Sequence, residues 1–353
     1  MSAALPSRRG VVVPLTRPLR VSVVIKAYNV ERHIRASIES AIAAVMPVGG
    51  EVILADSGSS DRTLEIAREY PVTIVQLRHA HEHRSGVGPQ LGFQKARGEF
   101  VYILDGDMEL DQGFLAEALR ALDADSRLAG VAGLIDEQIG GRERRALERR
   151  VRSCEWLDMG GLYRAEALRH VGYFSNRNLH AHEEMELGLR LCAAGWTLRR
   201  IPRPGVRRHD RTDANRPLLK QRWQSRSLDG PGELIRAAVG RPYFYRTLQM
   251  QRHPLVGLLV WLGLLAGLAL IPMSPWPLGA VLLALLGLVL VCARRTGSLR
   301  DAWFDQWVCQ VTALAMVRGF LARPRDPTEP IEFLLVHDAQ APGETAPGAG
   351  PSF

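Results

Sequence analysis

Two aspartates stand one residue apart at the end of an apolar run in the segment YILDGDMEL, residues 102–110. Asp105 and Asp107 flank Gly106, the smallest residue, which would leave room for a ligand to approach the backbone. Two carboxylates at a strand end can hold a hard divalent cation through oxygen ligands, and that cation can bind a phosphate-bearing substrate. Asp and Gly also form turns, so the same segment is an ordinary exit from a sheet. The segment alone leaves both interpretations open.

Polar residues follow two earlier apolar runs in the same way. The segment KAYNVE supplies Tyr28, Asn29 and Glu31, and the segment ADSGSSDRT supplies Asp56. Asp56 stands before a Ser/Gly turn, where a carboxylate can accept a hydrogen bond from a nucleobase N–H or a ribose hydroxyl, or can simply form the turn. The Asp and Thr of residues 61–63 are typical of the start of a helix.

The elements that must position these side chains alternate between residues 21 and about 210. Five short runs predict strands that are apolar along most of their length, as in a sheet covered on both faces: VSVVIKA, EVILADS, VTIVQL, FVYILDG and LAGVAGLI. Helix-like segments separate them, which predicts an α/β domain with a mostly parallel sheet and helices on both sides. Ligands of such sheets bind at the carboxyl ends of the strands, so we expect the polar residues to meet there.

The C-terminal half contains two uncharged apolar segments, residues 255–271 and 275–293. Each is just long enough to span a bilayer, which predicts a hairpin of two membrane helices. Basic residues flank the outer ends, and the connection PMSP has none: Arg241, Arg246, Arg252, Arg294, Arg295 and Arg300. The positive-inside rule then places both ends in the cytoplasm. A buried helix pair in a soluble core and a re-entrant hairpin are the alternatives.

The chain as a whole divides into six predicted parts. They are an N-terminal arm (1–19) without the apolar core of a signal peptide, the α/β domain (20–212), a basic amphipathic interface segment containing KQRWQSR (213–252), the hairpin (253–293), an amphipathic region forming an interfacial helix or a third span (294–338), and an Ala/Pro/Gly-rich tail predicted to be disordered (339–353).

Composition narrows the class of partner. The formal net charge of +8 favours an anionic partner, such as a phosphorylated ligand, an anionic membrane surface or nucleic acid. The arginines are spread over the membrane-proximal half without a readout motif, which argues against nucleic acid. The cysteines show no CxxC or metal-ligand spacing and predict free thiols in a reducing compartment: Cys154, Cys192, Cys292 and Cys309.

Five segments, taken in order, resemble the family 2 glycosyltransferases of the GT-A fold. They lie between residues 20 and 210 and read VSVVIKAYNVERHI, VILADSGSSDRTLEIA, ARGEFVYILDGDM, GGLYRAEALRHVGYF and HEEMELGLRLCAAGW. The resemblance implies a GT-A domain with a Rossmann-like, mostly parallel sheet, followed here by the transmembrane hairpin and interfacial helices. It also implies a sugar nucleotide as donor substrate and Mg²⁺ or Mn²⁺ as cofactor.

The resemblance also implies roles for individual residues. The donor nucleotide would bind at the first strand ends and along RSGVGPQLGFQKA, at Ala27, Tyr28, Asn29, Glu31, Asp56, Arg84, Gly88 and Asp105. The metal would be held against the donor diphosphate by Asp105 and Asp107, with His209 as a further candidate ligand. The GGLYR loop would lie on the acceptor side, through Gly160, Gly161 and Arg164.

The catalytic base of the resembled family is the second acid of a Glu-Asp pair that opens a helix. In this chain the pair is Glu183 and Glu184, so the aspartate is replaced by a side chain one methylene longer. We expect Glu184 to be the base, with Glu183 as the second candidate, although acids in a first helical turn also favour the helix dipole. Glu186 and Arg190 have the spacing of a surface ion pair, which predicts a structural role.

Together these features predict a membrane-anchored, inverting glycosyltransferase of the inner (cytoplasmic) membrane, with its catalytic domain on the cytoplasmic side. It would move a sugar from a nucleotide donor to a glycan or polyprenyl-phosphate-linked acceptor in envelope or exopolysaccharide synthesis, and inversion is implied by the resemblance alone. A processive polysaccharide synthase is one alternative, although Leu219 breaks its Gln-x-x-Arg-Trp pattern. A sugar-nucleotide pyrophosphorylase would need a Gly-rich N-terminal phosphate loop, which we do not find. A non-catalytic glycan-binding or assembly protein with the same fold is the third alternative.

Overall fold

The computed structural model describes residues 19–139, 142–144, 150–158, 160–211 and 215–339. These residues form one sheet of eleven strands in the order β11-β3-β2-β1-β4-β9-β6-β10-β5, with β7 paired to β6 and β8 to β10. The strands are β1 Val21–Ala27, β2 Gly50–Asp56, β3 Thr73–Leu77, β4 Phe100–Asp105, β5 Met108–Leu110, β6 Leu128–Ile139, β7 Arg142–Arg144, β8 Arg152–Cys154, β9 Gly161–Arg164, β10 Thr197–Arg211 and β11 Phe333–His337. The predicted arm before Leu19 and the predicted tail after Ala339 lie outside the described residues.

The first half of the sheet follows the predicted βαβ pattern. Strand β1 lies between β2 and β4 in parallel, with Ala27 opposite Asp56 and Lys26 opposite Asp105. Strand β2 pairs in parallel with β3, and β6 with β10. Strand β9 runs antiparallel between β4 and β6, and β5 runs antiparallel to β10. The α/β class is confirmed, but the sheet is more mixed than the βαβ pattern predicts, because such short strands depend on their neighbours and not on a pattern of their own.

Twelve α-helices occur in the described residues, and those up to residue 193 cover both faces of the sheet. They are α1 Ile34–Val45, α2 Thr63–Ala67, α3 Val87–Lys95, α4 Phe114–Ala124, α5 Ala165–His170, α6 Glu183–Ala193, α7 Asn215–Gln224, α8 Gly230–Ala238, α9 Phe244–Met250, α10 Arg252–Ala269, α11 Trp276–Thr296 and α12 Leu299–Leu321. Because side chains alternate along a strand, Val23 and Ile25 pack in the same apolar cluster as α1 and α4, whereas Val24 packs with α3, α5 and α6. This double cover explains the near-continuous apolar strands.

Helices α10 and α11 form the predicted apolar hairpin. Their 18 and 21 residues have mean hydropathies of 1.5 and 2.4, and by length and composition both are candidate membrane spans. At a rise of about 1.5 Å per residue they are roughly 27 and 32 Å long, close to the hydrocarbon thickness of a bilayer. Their leucines face outward, with Leu259 66% and Leu283 70% exposed. A buried pair in a soluble core does not fit this exposure.

The segment after the hairpin returns to the α/β domain. Helix α12 packs on α8, where Arg318 binds the buried carboxylate of Asp229 at 2.6 Å. The chain then adds β11 antiparallel to the edge strand β3. Between them, Arg325 pairs with the buried Glu82, which also accepts a hydrogen bond from Arg177 at 2.8 Å. The hairpin is therefore connected to the sheet on both sides along the chain. The sequence did not predict strand β11.

Candidate functional site

The carboxyl ends of β1, β2 and β4 meet at one edge of the sheet, as the parallel order predicts. The loop after β1 and the loop after β2 are bound to each other through side chains. Asn29, in a left-handed conformation with φ 52°, accepts a hydrogen bond from the Ser60 amide at 2.8 Å. The Glu31 carboxylate accepts from the Arg62 amide at 3.1 Å. The predicted nucleotide-binding residues Asn29 and Glu31 thus brace this edge, and the Ala27 carbonyl accepts from the Ser57 amide at 2.9 Å.

The carboxylate of Asp56 is fully buried and organises the turn after β2. It accepts hydrogen bonds from the amides of Gly58 and Ser59, from the Ser59 hydroxyl at 2.5 Å and from the Gln76 side chain at 3.0 Å. Both interpretations of Asp56 therefore keep support: the residue forms the turn, and it stands where a nucleotide is predicted. The residues at 61–63 start a helix as predicted, because the Asp61 carboxylate accepts from the Thr63 amide at 3.0 Å.

Tyr28 presents an aromatic surface at the same edge. Its ring is 47% exposed and stacks on the ring of His83, with 3.9 Å between the ring centroids. Arg84, the next residue, is partly buried, and burial lowers its pKa even though Glu233 acts in the opposite direction. A flat ring pair beside a partly desolvated guanidinium suits a nucleobase and a phosphate. The sequence did not single out His83.

A cluster of charged groups lies between the end of β4 and the start of α6. The Lys26 ammonium is 2.6 Å from Oδ1 of Asp105, 3.6 Å from Oε1 of Glu183 and 3.8 Å from Oε1 of Glu184. Burial lowers the pKa of Lys26, but Asp105, Glu184 and Glu183 outweigh it and hold the pKa above its ordinary value. The two candidate general bases, Glu183 and Glu184, and the predicted metal ligand Asp105 therefore surround one ammonium. The sequence reasoning missed Lys26, whose only signal is a charge inside the apolar run VSVVIKA.

Glu184 is a partly buried carboxylate in the first turn of α6. Burial, followed by the neighbouring Glu183 carboxylate, raises the pKa of Glu184 to about 8, against the smaller opposing effect of Lys26. Helix α6 starts at Glu183 after His182, which has φ 69°. Farther along α6, Glu186 is fully buried and accepts hydrogen bonds from Arg190 at 2.9 Å. The structural role predicted for Glu186 agrees with this contact, but the pair is buried and not on the surface.

Asp107, two residues after Asp105, pairs with a different basic residue. Its Oδ2 is 3.4 Å from the Arg208 guanidinium on β10, and its side chain is 32% exposed. His209 follows on the same strand, but its side chain lies outside what the structure describes. Within the described residues no group of three His, Cys, Asp or Glu side chains is arranged to hold a metal ion. Mg²⁺ commonly uses one or two carboxylates together with substrate phosphates and water. The open oxygens of Asp107 fit that mode of binding.

The predicted acceptor residues fall into two groups. Gly160 has φ 85°, and a Cβ there would lie 2.6 Å from the buried hydroxyl of Tyr102. Gly161 begins β9 and packs edgewise on Tyr163, where a Cβ would lie 2.9 Å from the ring. Arg164 instead donates to the Leu122 carbonyl at 2.7 Å, outside the carboxylate cluster. The two glycines therefore lie against tyrosine side chains, whereas Arg164 binds backbone carbonyls, and their predicted role on the acceptor side stays a prediction.

Gly88 contacts the Lys26 side chain of the same cluster. Gly88 is buried in α3, and a Cβ there would touch the aliphatic stem of Lys26 at 3.4 Å. That distance is an ordinary van der Waals contact, so Gly88 lies directly against the lysine stem. This is a packing contact, and the predicted role of Gly88 in nucleotide binding stays a prediction.

A cleft of about 470 Å³ lies among residues of β6, β8 and β10 and the loop that follows β8. It is lined by Trp156, Asp158 and Arg200 among others, and Asp158 binds both the Trp156 indole N–H at 2.6 Å and the Arg200 guanidinium at 3.0 Å. A separate small cavity is lined by Tyr163, Glu183 and Glu184 among others, and Glu184 is among the groups that raise the Tyr163 pKa after burial itself. The volume of the larger cleft, which contains Trp156, is in the range of small-molecule sites. The sequence reasoning did not predict this cleft.

Two family descriptions match the chain. "Glycosyl transferase family 2" matches residues 22–179, and "Glycosyl transferase family group 2" matches residues 150–294. Among curated relatives, an undecaprenyl-phosphate 4-deoxy-4-formamido-L-arabinose transferase of Pectobacterium carotovorum is 36% identical over 98 residues, 25% of this chain and 29% of the relative. A dodecaprenyl-phosphate galacturonate synthase of Rhizobium johnstonii is 31% identical over 119 residues, 31% of this chain and 34% of the relative. The matched segments thus span about a third of these relatives.

Solved structures share the fold at low sequence identity. A mannosyltransferase of Pyrobaculum calidifontis in complex with GDP-Man and Mn²⁺ has a TM-score of 0.52 at 18% identity, over 87% of this chain and 88% of that chain. A fragment of S. aureus TarS in complex with UDP-GlcNAc has a TM-score of 0.50 at 16% identity, over 86% and 93%. With the family matches, these likenesses lead to one conclusion: residues 22–179 form a family 2 glycosyltransferase domain, and the chain has the GT-A fold.

Proposed function

We propose that the chain is a metal-dependent, inverting glycosyltransferase of the inner membrane, with its catalytic domain on the cytoplasmic side. It would move a sugar from a nucleoside-diphosphate donor to a glycan or polyprenyl-phosphate-linked acceptor in envelope or exopolysaccharide synthesis. One observation carries this proposal: Asp105 at a strand end and the first-turn acids Glu183 and Glu184 lie within 3.8 Å of one ammonium. A group suited to the donor side therefore lies beside groups suited to deprotonate an acceptor.

The donor would bind along the edge formed by the loops after β1 and β2. Tyr28 and His83 offer the nucleobase a flat surface, and Arg84 offers a phosphate a partly buried cation. Asp107 would hold Mg²⁺ or Mn²⁺ together with the donor diphosphate, and the bound ion would neutralise charge on the departing diphosphate. Support comes from the solved mannosyltransferase, whose structure contains GDP-Man and Mn²⁺.

Glu184 would act as the general base of the transfer. Its carboxylate would take the proton from the acceptor hydroxyl while the hydroxyl oxygen attacks the anomeric carbon. The bond between that carbon and the diphosphate oxygen breaks, and its electron pair leaves with the nucleoside diphosphate. A pKa of about 8 makes Glu184 a stronger base than an ordinary glutamate. Attack on the face opposite the leaving group would invert the anomeric centre.

The acceptor would approach from the cleft that contains Trp156 and Asp158. An indole face and a carboxylate beside it are suited to a sugar ring and its hydroxyls. The apolar hairpin α10–α11 supports an acceptor that is presented at a membrane. Two relatives whose names include undecaprenyl-phosphate and dodecaprenyl-phosphate support a lipid-phosphate-linked acceptor.

The test is metal-dependent release of nucleoside diphosphate by the full chain purified in detergent. Sugar nucleotides with uridine, guanosine or thymidine bases would be compared with Mg²⁺, Mn²⁺ or chelator, for the wild type and for Asp107→Ala. Asp123→Ala is a matched control, because Asp123 is half-exposed and binds Arg20 at the opposite end of β1.

We expect turnover of one class of donor that requires the metal, is lost in Asp107→Ala and is retained in Asp123→Ala. Product length would separate single addition from processive synthesis. If the wild type neither turned over nor bound any donor by saturation binding, the catalytic proposal would be wrong, and a non-catalytic glycan-binding role would replace it.

A further inference from the structure

Lys26 is the sixth residue of the central strand β1 and points out of the apolar core into the acid cluster. Its side chain is only 17% exposed, and its stem passes over Gly88. The ammonium lies 2.6 Å from Oδ1 of Asp105, and that oxygen atom is itself buried. Lysine is rare in this chain, since only Lys26, Lys95 and Lys220 occur among its 45 basic residues. A lysine at the centre of the site therefore stands apart from the arginine-rich surface.

The charges around Lys26 make it necessary to the arrangement. Asp105, Glu183 and Glu184 bring three carboxyl groups into one partly buried space, where their ionised forms repel one another. An ammonium has three N–H donors on a compact centre and can face three carboxylates at once, whereas a guanidinium is a planar fork. Asp107 does not share this partner: in the described structure its closest basic group is Arg208 on β10 and not Lys26.

We propose that Lys26 is a positioning residue that binds Asp105 in place of the divalent cation and fixes it relative to Glu183 and Glu184. This inference rests on the proposed metal-dependent function. A metal ion on the same Asp105 oxygen would lie about 2.0–2.6 Å from it, in the space that the ammonium occupies. The cation would therefore be held by Asp107 and the donor diphosphate, while Asp105 serves to link the donor side to the acids of α6.

Mn²⁺ affinity tests this assignment without requiring turnover. The full chain in detergent would be titrated with Mn²⁺, alone and with UDP present, and unbound Mn²⁺ would be measured by electron paramagnetic resonance. The variants are Lys26→Gln, Lys26→Arg, Asp105→Asn and Asp107→Asn. Lys95→Gln is the matched control, because Lys95 pairs at 3.6 Å with Asp338, away from the acid cluster. Circular dichroism would establish that each variant is folded.

We expect Lys26→Gln to bind Mn²⁺ at least about tenfold more tightly, because the acid cluster loses its resident positive charge. Lys26→Arg keeps the charge and should therefore bind Mn²⁺ less tightly than Lys26→Gln does, although its planar fork faces the three acids less evenly than the ammonium. Lys95→Gln should stay within about threefold of the wild type, because its surface ion pair lies outside the cluster. Asp107→Asn should weaken Mn²⁺ binding at least about tenfold, whereas Asp105→Asn should change it by less than about threefold, since only Asp107 would ligate the ion.

Unchanged or weaker Mn²⁺ binding in folded Lys26→Gln would overturn the inference, as would equal losses in Asp105→Asn and Asp107→Asn. If Lys26→Gln does not fold, the comparison of Asp105→Asn with Asp107→Asn decides whether Asp107 alone ligates the ion. Absence of Mn²⁺ binding in the wild type and in Lys26→Gln alike would also overturn it. Failure of the proposed function has a different signature, namely no donor turnover by the wild type, while the order of Mn²⁺ affinities still reports on Lys26.

Discussion

The ionisation of Glu184 should control the pH dependence of sugar transfer. Burial and the adjacent Glu183 carboxylate raise the Glu184 pKa to about 8, with Lys26 and Asp105 as the other charged groups that face it. A general base must be deprotonated to accept a proton, so the protonated form below this pKa is inactive. With a pKa of about 8, roughly a hundredth of the protein is active at pH 6, about a tenth at pH 7 and most of it above pH 9. The rate should therefore rise about tenfold per pH unit below pH 8 and then level off.

The assay is the initial rate of transfer at saturating donor, acceptor and Mn²⁺ between pH 6 and 9.5, with donor hydrolysis subtracted. The Glu184→Gln variant should have a residual rate that does not follow this profile, because an amide cannot accept the proton. Burial lowers the pKa values of His83 and His182 below that of an ordinary histidine, so their titration moves away from that of Glu184. A rate that is as high at pH 6 as at pH 8.5, or the same profile in Glu184→Gln, would refute the assignment.

Three further substitutions test the framework that holds the site. Glu186→Gln should lower the free energy of unfolding by about 3–5 kcal/mol in chemical denaturation, because it leaves the buried Arg190 without its charge partner. Gly160→Ala should cost at least about 1–3 kcal/mol from its positive φ and more from the contact with a buried tyrosine hydroxyl, whereas Gly240→Ala, with φ 75° and open space, should show the backbone cost alone. Asp229→Asn should weaken the attachment of α12 to α8, which faster hydrogen exchange in α12 would report; equal exchange in variant and wild type would contradict it.

The α/β fold could be predicted because its long strands carry a clear pattern. Near-continuous apolar runs gave β1, β2 and β4, and their parallel order placed the following polar residues at one edge. Strands such as β5, β8 and β9 are three or four residues long and form only because longer neighbours pair with them. Strand β11 was missed for a related reason, since its partner β3 lies more than 250 residues away in sequence.

The sequence indicates candidate site residues that lie close together along the chain. It does not indicate those that become neighbours only when three separate elements pack together. Glu183 and Glu184 follow from the start of one helix, and the four-residue spacing of Glu186 and Arg190 indicated their contact but not its burial. Lys26 appears in sequence only as an interruption of an apolar strand, and its meaning depends on β4 and α6 being adjacent. The Trp156 cleft likewise combines β6, β8 and β10, so its residues are far apart along the chain.

Transfer of labelled sugar from the donor to a membrane acceptor tests the central claim most directly. Membranes or lipid extract would be incubated with the full chain, Mn²⁺ and the radiolabelled donor identified in the nucleotide panel, and label would be counted in the lipid and polymer fractions. We expect label in one of these fractions for the wild type and for Asp123→Ala. Glu184→Gln should transfer at least about a hundredfold less label, which is the rate loss typical of removing a general base. Transfer of label by Glu184→Gln at the wild-type rate would contradict it. So would a wild type that turns over the donor but leaves no label in any acceptor fraction.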